Sequence, residues 1–277
     1  MRDIEMGVTT HYASYDVLAR IRAALGEMGH DPDRISPDVL KPVDEFHIGG
    51  AEATAALLEK LDIRPDMEVL DIGSGVGGPA RMIAGRYGCR VTGVDLTPHF
   101  VETARAPSAM CGLADRVRFE VGSVALPLPD ASYDLALLLH VGMNVPDKAA
   151  LFREARRVLR DGGTFAVYEV MQTGDGDLAF PVPWAETPEL SALETPQTYR
   201  AKAQAAGFAL EAEENRREVA LDFFSRLQAQ AASGASPPLG LHNLMGPTVK
   251  EKVANMIAAV RAGTIAPIEM IFSTVRH

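Results

Sequence analysis

The sequence predicts a doubly wound α/β fold with a mostly parallel sheet, and three observations carry that prediction. From residue 67 onward, short and nearly continuous apolar runs alternate with helical stretches. The first run feeds a glycine-rich turn that opens a helix. The composition is globular, 47% hydrophobic and 23% charged, and 277 residues suit one large domain with an appendage. Continuous apolar strands of this kind belong to a sheet covered by helices on both faces.

Taken in order, residues 11–29 read as a helix, since Tyr12, Tyr15, Leu18, Ile21, Ala24 and Leu25 fall near helical spacing. The stretch from Asp31-Pro32 to Lys41-Pro42 is too proline-rich to continue it. Residues 51–61 resume a helix. Strand candidates then fall at 67–72, 91–94, 117–121, 135–139 and 164–170, with helices at 80–86, 99–111 and 147–159 between them. Asp161-Gly162-Gly163 reads as the stop of the last of these helices. Residues 172–196 are rich in Gly, Pro and Asp around Trp184 and read as an irregular insertion. Helix 196–206, strand 208–213, helices 219–232 and 248–261, and strand 265–275 complete the chain.

This reading divides the protein into N-terminal helices (1–62), a ligand-binding core (63–215), cap helices (216–262) and a strand (263–277) that closes the sheet. The helices at 11–29, 219–232 and 248–261 are the candidates to cover the sheet's ligand edge, and they offer a surface for a possible homodimer.

Charge narrows the partners. With 27 basic and 37 acidic residues the formal net charge is −10, which demotes nucleic acid and anionic membranes. No apolar run approaches a membrane span, and no signal-like stretch follows the acidic start, so a cytoplasmic protein is expected. Cys89 and Cys111 have no metal or redox spacing, and no metal site is expected.

The chemistry concentrates in Glu68-Val69-Leu70-Asp71-Ile72-Gly73-Ser74-Gly75-Val76-Gly77-Gly78-Pro79-Ala80. A strand–glycine turn–helix unit lets a ligand approach the backbone, with unpaired N–H groups expected to face it. Gly73, Gly75 and Gly78 formally satisfy the dinucleotide fingerprint. Asp71 argues otherwise, because it adds negative charge where a pyrophosphate would sit. It suits a cationic ligand such as S-adenosylmethionine. Asp95, ending the second strand, can take ribose hydroxyls under either reading.

Four further stretches extend the pattern. They are Gly88 to Pro98, Gly122 to Asp134, and Leu139-His140-Val141-Gly142-Met143-Asn144 followed by Arg157 to Gly163. Together with the Asp71–Arg81 turn they resemble the class I S-adenosylmethionine-dependent methyltransferases over roughly residues 45–170. Asp44 to Gly50, the Gly-Gly-Pro-Ala-Arg turn and Phe180 to Trp184 look most like sarcosine/dimethylglycine-type N-methyltransferases, and more distantly the quinone-precursor methylase group.

The resemblance implies the Rossmann-like methyltransferase fold, seven strands with a helical cap, and conversion of S-adenosylmethionine to S-adenosylhomocysteine. It implies a small-molecule acceptor, with an amine or amino acid leading and an oxygen or carbon nucleophile as runner-up. A nicotinamide oxidoreductase is the remaining alternative, disfavoured because no catalytic domain of ordinary size follows the glycine-rich half. The expected cofactor residues are Asp71, Gly73, Ser74, Gly75, Asp95, Leu96, Ser123, Val124, His140 and Tyr15. Ser123 stands where the family often has an acidic residue, and a hydroxyl there makes a weaker contact to adenine. His140, at the end of the fourth strand, is the candidate base or hydrogen-bond partner for the acceptor. His47, Asn144, Glu169, Trp184 and Tyr12 are the candidate acceptor residues.

Overall fold

The structure is a computed structural model that describes residues 17–31, 33–233, 239–240 and 248–275. Its centre is a seven-stranded sheet in the order β3-β2-β1-β4-β5-β7-β6. The strands are β1 (Glu68–Ile72), β2 (Arg90–Asp95), β3 (Val117–Val121), β4 (Tyr133–Leu139), β5 (Leu159–Gln172), β6 (Phe208–Asn215) and β7 (Ile265–Thr274). The first five run parallel; β7 lies antiparallel between β5 and β6.

The chain winds outward from β1 to β2 and β3, then crosses back to place β4 on the other side of β1. Ligands of open α/β sheets bind at such a reversal, beyond the strands' carboxyl ends. In register, Asp71 of β1 lies between Gly93 of β2 and Leu137 of β4, one residue short of that edge. The central strands are apolar on both sides because helices cover both, whereas the edge strand β6 is largely exposed. Leu70, Leu138, Phe165 and Phe272 meet α6 (Lys148–Val158) and α7 (Pro196–Ala205). Val69, Leu137 and Tyr168 meet α3 (Gly50–Leu58), α4 (Gly78–Tyr87) and α5 (Pro98–Met110).

Two local expectations are overturned. The proline-rich stretch contains a helix, α2 (Pro37–Asp44). Ser36 caps it by accepting from the Asp38 N–H at 3.3 Å, and Pro37 occupies a first-turn position where a missing N–H is harmless. Pro42 does interrupt the interior, a defect of about 3 kcal/mol in isolation. Burial of Leu40 and Val43 opposes it. The second correction concerns Asp161-Gly162-Gly163. Helix α6 ends at Val158, and Leu159 already pairs with Tyr133, so these residues form an irregularity inside β5, with Gly162 at φ 81°.

The remaining helices separate into two groups. Helices α8 (Arg217–Ala232) and α9 (Val249–Ala262) share a core with the 172–196 insertion, through Val182, Trp184, Phe224, Met256 and Val260. Helix α1 (Val17–Glu27) packs elsewhere, with α2, Phe100 and Val76 of the glycine turn. Tyr12 and Tyr15 lie outside the described residues.

Candidate active site at the carboxyl edge of the sheet

The glycine turn between β1 and α4 is held by its own neighbourhood. Gly73 and Ser74 donate their N–H groups to the Val94 carbonyl at 2.7 and 3.1 Å. Gly77 donates to Ser74 O at 2.8 Å, and Gly75 donates to Asp95 Oδ2 at 2.8 Å. These N–H groups are therefore engaged, contrary to the expectation of unpaired donors facing a ligand. Gly73 (φ 75°) cannot be replaced easily, since a Cβ there would come within 2.2 Å of Val141 Cγ2. At Gly75 (φ 53°) a Cβ would meet nothing within 4 Å, so that side is open to the crevice.

The unpartnered side-chain atoms in this crevice include a carboxylate acceptor and a serine hydroxyl, which can donate or accept. Asp71 is buried and lines it, and its Oδ2 has no hydrogen-bond partner; the buried Ser74 Oγ has none either. Burial, and secondarily the nearby Asp95, raise the Asp71 carboxyl to about 7. A cation placed against that oxygen would reverse the shift. Asp95 accepts from Gly75 N through Oδ2 and from Thr97 N through Oδ1, both at 2.8 Å. The Thr97 side chain bonds this carboxylate as well, and of its roughly four acceptor positions one stays open to a hydroxyl donor. The crevice, about 180 Å³, continues past Leu96, Ser123 and Val124 to Asn144, whose Oδ1 is also buried and unpartnered.

His140 closes the inner end. It has left-handed backbone (φ 55°), uncommon for a side-chain-bearing residue and frequent at functional turns. Its Nδ1 lies 3.0 Å from Tyr168 O, and its Nε2 accepts from the Ile48 N–H at 3.4 Å. That pattern fits a neutral ring with the proton on Nδ1. Burial, then proximity to His47, push His140 down to about 3. In this arrangement it is a poor base.

His47 is likewise pushed down by burial, to about 4. Its Nε2 lies 3.0 Å from Thr54 Oγ1, which donates to Glu45 Oε2 at 2.8 Å; His47 therefore donates to the threonine. Glu45 is raised by burial to about 8, so protonation of this carboxyl accompanies the neutral histidine.

A second, smaller cavity of about 60 Å³ adjoins the first, sharing Phe46, His47 and His140. The rest of its wall is apolar: Ile48, Met143, Pro183, Trp184, Phe223, Phe224, Leu227, Val253 and Met256. Trp184 Nε1 donates to Ser191 Oγ at 3.0 Å, so the indole's polar edge is satisfied away from any ligand.

The structure thus brings Asp71, Gly73, Ser74, Gly75, Asp95, Leu96, Ser123, Val124, His140, His47 and Asn144 to one crevice and Trp184 to the adjoining cavity. Glu169 does not join them. It is fully buried, lines neither cavity, and accepts from the Val141 N–H at 2.8 Å beneath the turn after β4. The reason is the alternation of β5, which points Tyr168 toward the histidines and its neighbour to the other face. Sequence reasoning missed Phe46, Met143, Phe223 and Phe224. The last two are signalled only by a Phe-Phe pair on a helix of mixed composition. Among the described residues no group of His, Cys, Asp and Glu could hold a metal ion, and no helix is long and apolar enough to cross a membrane.

Comparison with known proteins agrees with this fold. Residues 70–167 match the family model described as a methyltransferase domain. A sterol 24-C-methyltransferase of Gibberella zeae is 38% identical over 118 residues, 42% of this chain and 31% of that protein. The methyltransferase GfsG of Streptomyces halstedii is 35% identical over 150 residues, 54% and 52% of the two chains. The matches therefore span about a third to a half of these curated relatives. Among solved structures, geranyl diphosphate C-methyltransferase of Streptomyces coelicolor A3(2) covers 98% of both chains at TM-score 0.70 and 18% identity. A Galdieria sulphuraria protein proposed to be a sarcosine dimethylglycine methyltransferase covers 80% of this chain and 85% of its own, at TM-score 0.68 and 23% identity. These likenesses show the fold.

Proposed function

From a chain whose residues 70–167 are a methyltransferase domain on the S-adenosylmethionine-dependent fold, we infer methyl transfer from S-adenosylmethionine to a small and largely apolar acceptor. The observation that carries the reading is the buried, unpartnered Oδ2 of Asp71, at a turn whose nearest N–H donors are engaged. That arrangement favours a cation and offers little to a pyrophosphate, which sets the nicotinamide alternative aside.

The residues fit the group. Asp71 would hold the ammonium, Asp95 the ribose hydroxyls, and Leu96, Ser123 and Val124 would border the adenine. When bound, the cofactor supplies an electrophilic methyl on positively charged sulfur. His47 and His140, held neutral by burial, add no positive charge beside it. The protein's main contribution is to align the acceptor and exclude water, which is worth about 7 kcal/mol or more in ideal cases.

The acceptor class follows from the second cavity. An amino acid would bring a carboxylate to a wall that, among the described residues, carries no cation. A neutral hydrocarbon-rich molecule meets Trp184, Phe223 and Met256 without that cost. Carbon or oxygen methylation of such a molecule is therefore favoured over the amino-acid acceptor that led on sequence grounds. The names of the sterol and geranyl diphosphate relatives are consistent with a hydrocarbon-rich acceptor. Simple amines stay open, because the aromatic faces of Phe46 and Trp184 can also receive an ammonium. Turnover of methyl-labelled S-adenosylmethionine on matched panels of neutral apolar acceptors, amines and amino acids tests the reading. Preference for a free amino acid would contradict it.

A further inference from the structure

Arg81 belongs to neither cavity's catalytic wall, yet it is wholly buried and joins three elements. Its Nη2 donates to the Val76 carbonyl in the glycine turn at 2.7 Å and to Asp44 Oδ1 at the end of α2 at 2.8 Å. Its Nη1 donates to Ala104 O and Ser108 Oγ on α5, at 3.2 and 3.1 Å. The contact between α2 and the turn is otherwise very close, since a Cβ on Gly78 would fall 2.4 Å from the Asp44 carbonyl oxygen.

The residues directly after Asp44 build the wall shared by the two cavities. Glu45 is tied to Thr54 of α3, and Phe46 and His47 line both the cofactor crevice and the apolar cavity. The covalent path from the Arg81 partner Asp44 to His47 is three residues long, and every residue on it is at least half-buried. The guanidinium therefore connects the cofactor turn to the acceptor wall through one charge-assisted bond on each side. Lysine, with a single point charge, cannot span Val76, Asp44 and α5 together.

Building on the methyltransferase reading, we propose that Arg81 is a positioning residue that couples occupancy of the cofactor crevice to the Phe46–His47 wall, so that bound cofactor completes the acceptor cavity. The coupling is reciprocal, and an acceptor occupying that cavity tightens the cofactor by the same factor.

The test is hydrogen exchange of the full chain with and without S-adenosylhomocysteine, beside calorimetry of the same ligand. In the unsubstituted protein the ligand slows exchange in residues 72–78 and also in residues 44–50. In Arg81→Lys the ligand still protects 72–78, while protection of 44–50 falls at least tenfold. Ser108→Ala, which removes a bond to α5 and leaves the Asp44 link, keeps both. Binding heat without protection of 44–50 in the unsubstituted protein overturns the coupling alone, and needs no variant to fold. Undiminished protection in Arg81→Lys overturns it as well. Absence of any binding heat overturns the functional reading from which it starts, and so the two failures are separable.

Discussion

The cofactor crevice and the acceptor cavity touch at Phe46, His47 and His140 but are built on different principles. The crevice is made chiefly from strand ends and the turns directly after them, and backbone bonds such as Gly75 N to Asp95 Oδ2 hold the turn in place while Asp71 Oδ2 stays unpartnered. The cavity is made from side chains of segments far apart in the chain: residues 46–48, the turn after β4, the 172–196 insertion, α8 and α9. One region sets several polar groups at strand ends, and the other is assembled from distant segments and is more uniformly apolar. Substitutions should therefore separate them, affecting cofactor binding on one side and acceptor turnover on the other.

The largest expected effect on cofactor binding is in the crevice. Asp71→Asn removes the charge that faces the cation and should weaken S-adenosylhomocysteine by about 1.5–3 kcal/mol, roughly 10- to 150-fold, by calorimetry. The same variant should melt no lower than the parent above pH 7, because a buried carboxylate is lost. Lower stability there would indicate a structural role instead.

Trp184→Ala tests the other side. Loss of a buried indole costs about 3–5 kcal/mol of stability and should abolish acceptor turnover, with cofactor affinity within about twofold. A parallel fall in cofactor affinity would erase the distinction between the regions. Trp184→Phe, which keeps an aromatic face, should restore part of the turnover at an elevated acceptor KM.

A pH titration sharpens the comparison further. The Asp71 carboxyl, raised to about 7, binds a proton below that pH in the empty crevice, and a cationic ligand must displace it. Affinity for S-adenosylhomocysteine should fall about tenfold per unit as pH drops below about 7, and level off above it. Glu45, raised to about 8, has the opposite consequence for folding. The folded chain holds that proton more tightly than the unfolded one, so this stabilisation is complete below about pH 4.5 and is lost as pH rises through about 8. Glu45→Gln should flatten that part of a melting-temperature profile.

The smallest effect is expected at Ser123. Its hydroxyl is a weak partner for adenine, and Ser123→Ala should change cofactor affinity by about 1 kcal/mol or less.

The same contrast explains what could be read in advance. Strand ends are sequence-local, so Asp71, Asp95, Ser123 and His140 could be placed from apolar runs and the residues just beyond them. The engaged N–H groups of Gly73, Ser74 and Gly75 could not, because their acceptors, Val94 O and Asp95 Oδ2, come from the neighbouring strand. Glu169 was misplaced for want of one fact, the face on which β5 presents it. Helix α2 was hidden by its prolines, which a Ser36 cap and buried Leu40 and Val43 accommodate. The acceptor wall was least legible, since Phe223, Phe224 and Met256 look like ordinary core residues until distant helices bring them against Trp184.

Calorimetric titration of the intact chain with S-adenosylhomocysteine, run beside NAD and NADP, probes the assignment of the Asp71 crevice most directly. One-to-one saturation by the sulfur compound, sharply weaker in Asp71→Asn and indifferent to Trp184→Phe, is the predicted result. Saturation by a pyridine dinucleotide, with no response to the adenosyl compound, would contradict it.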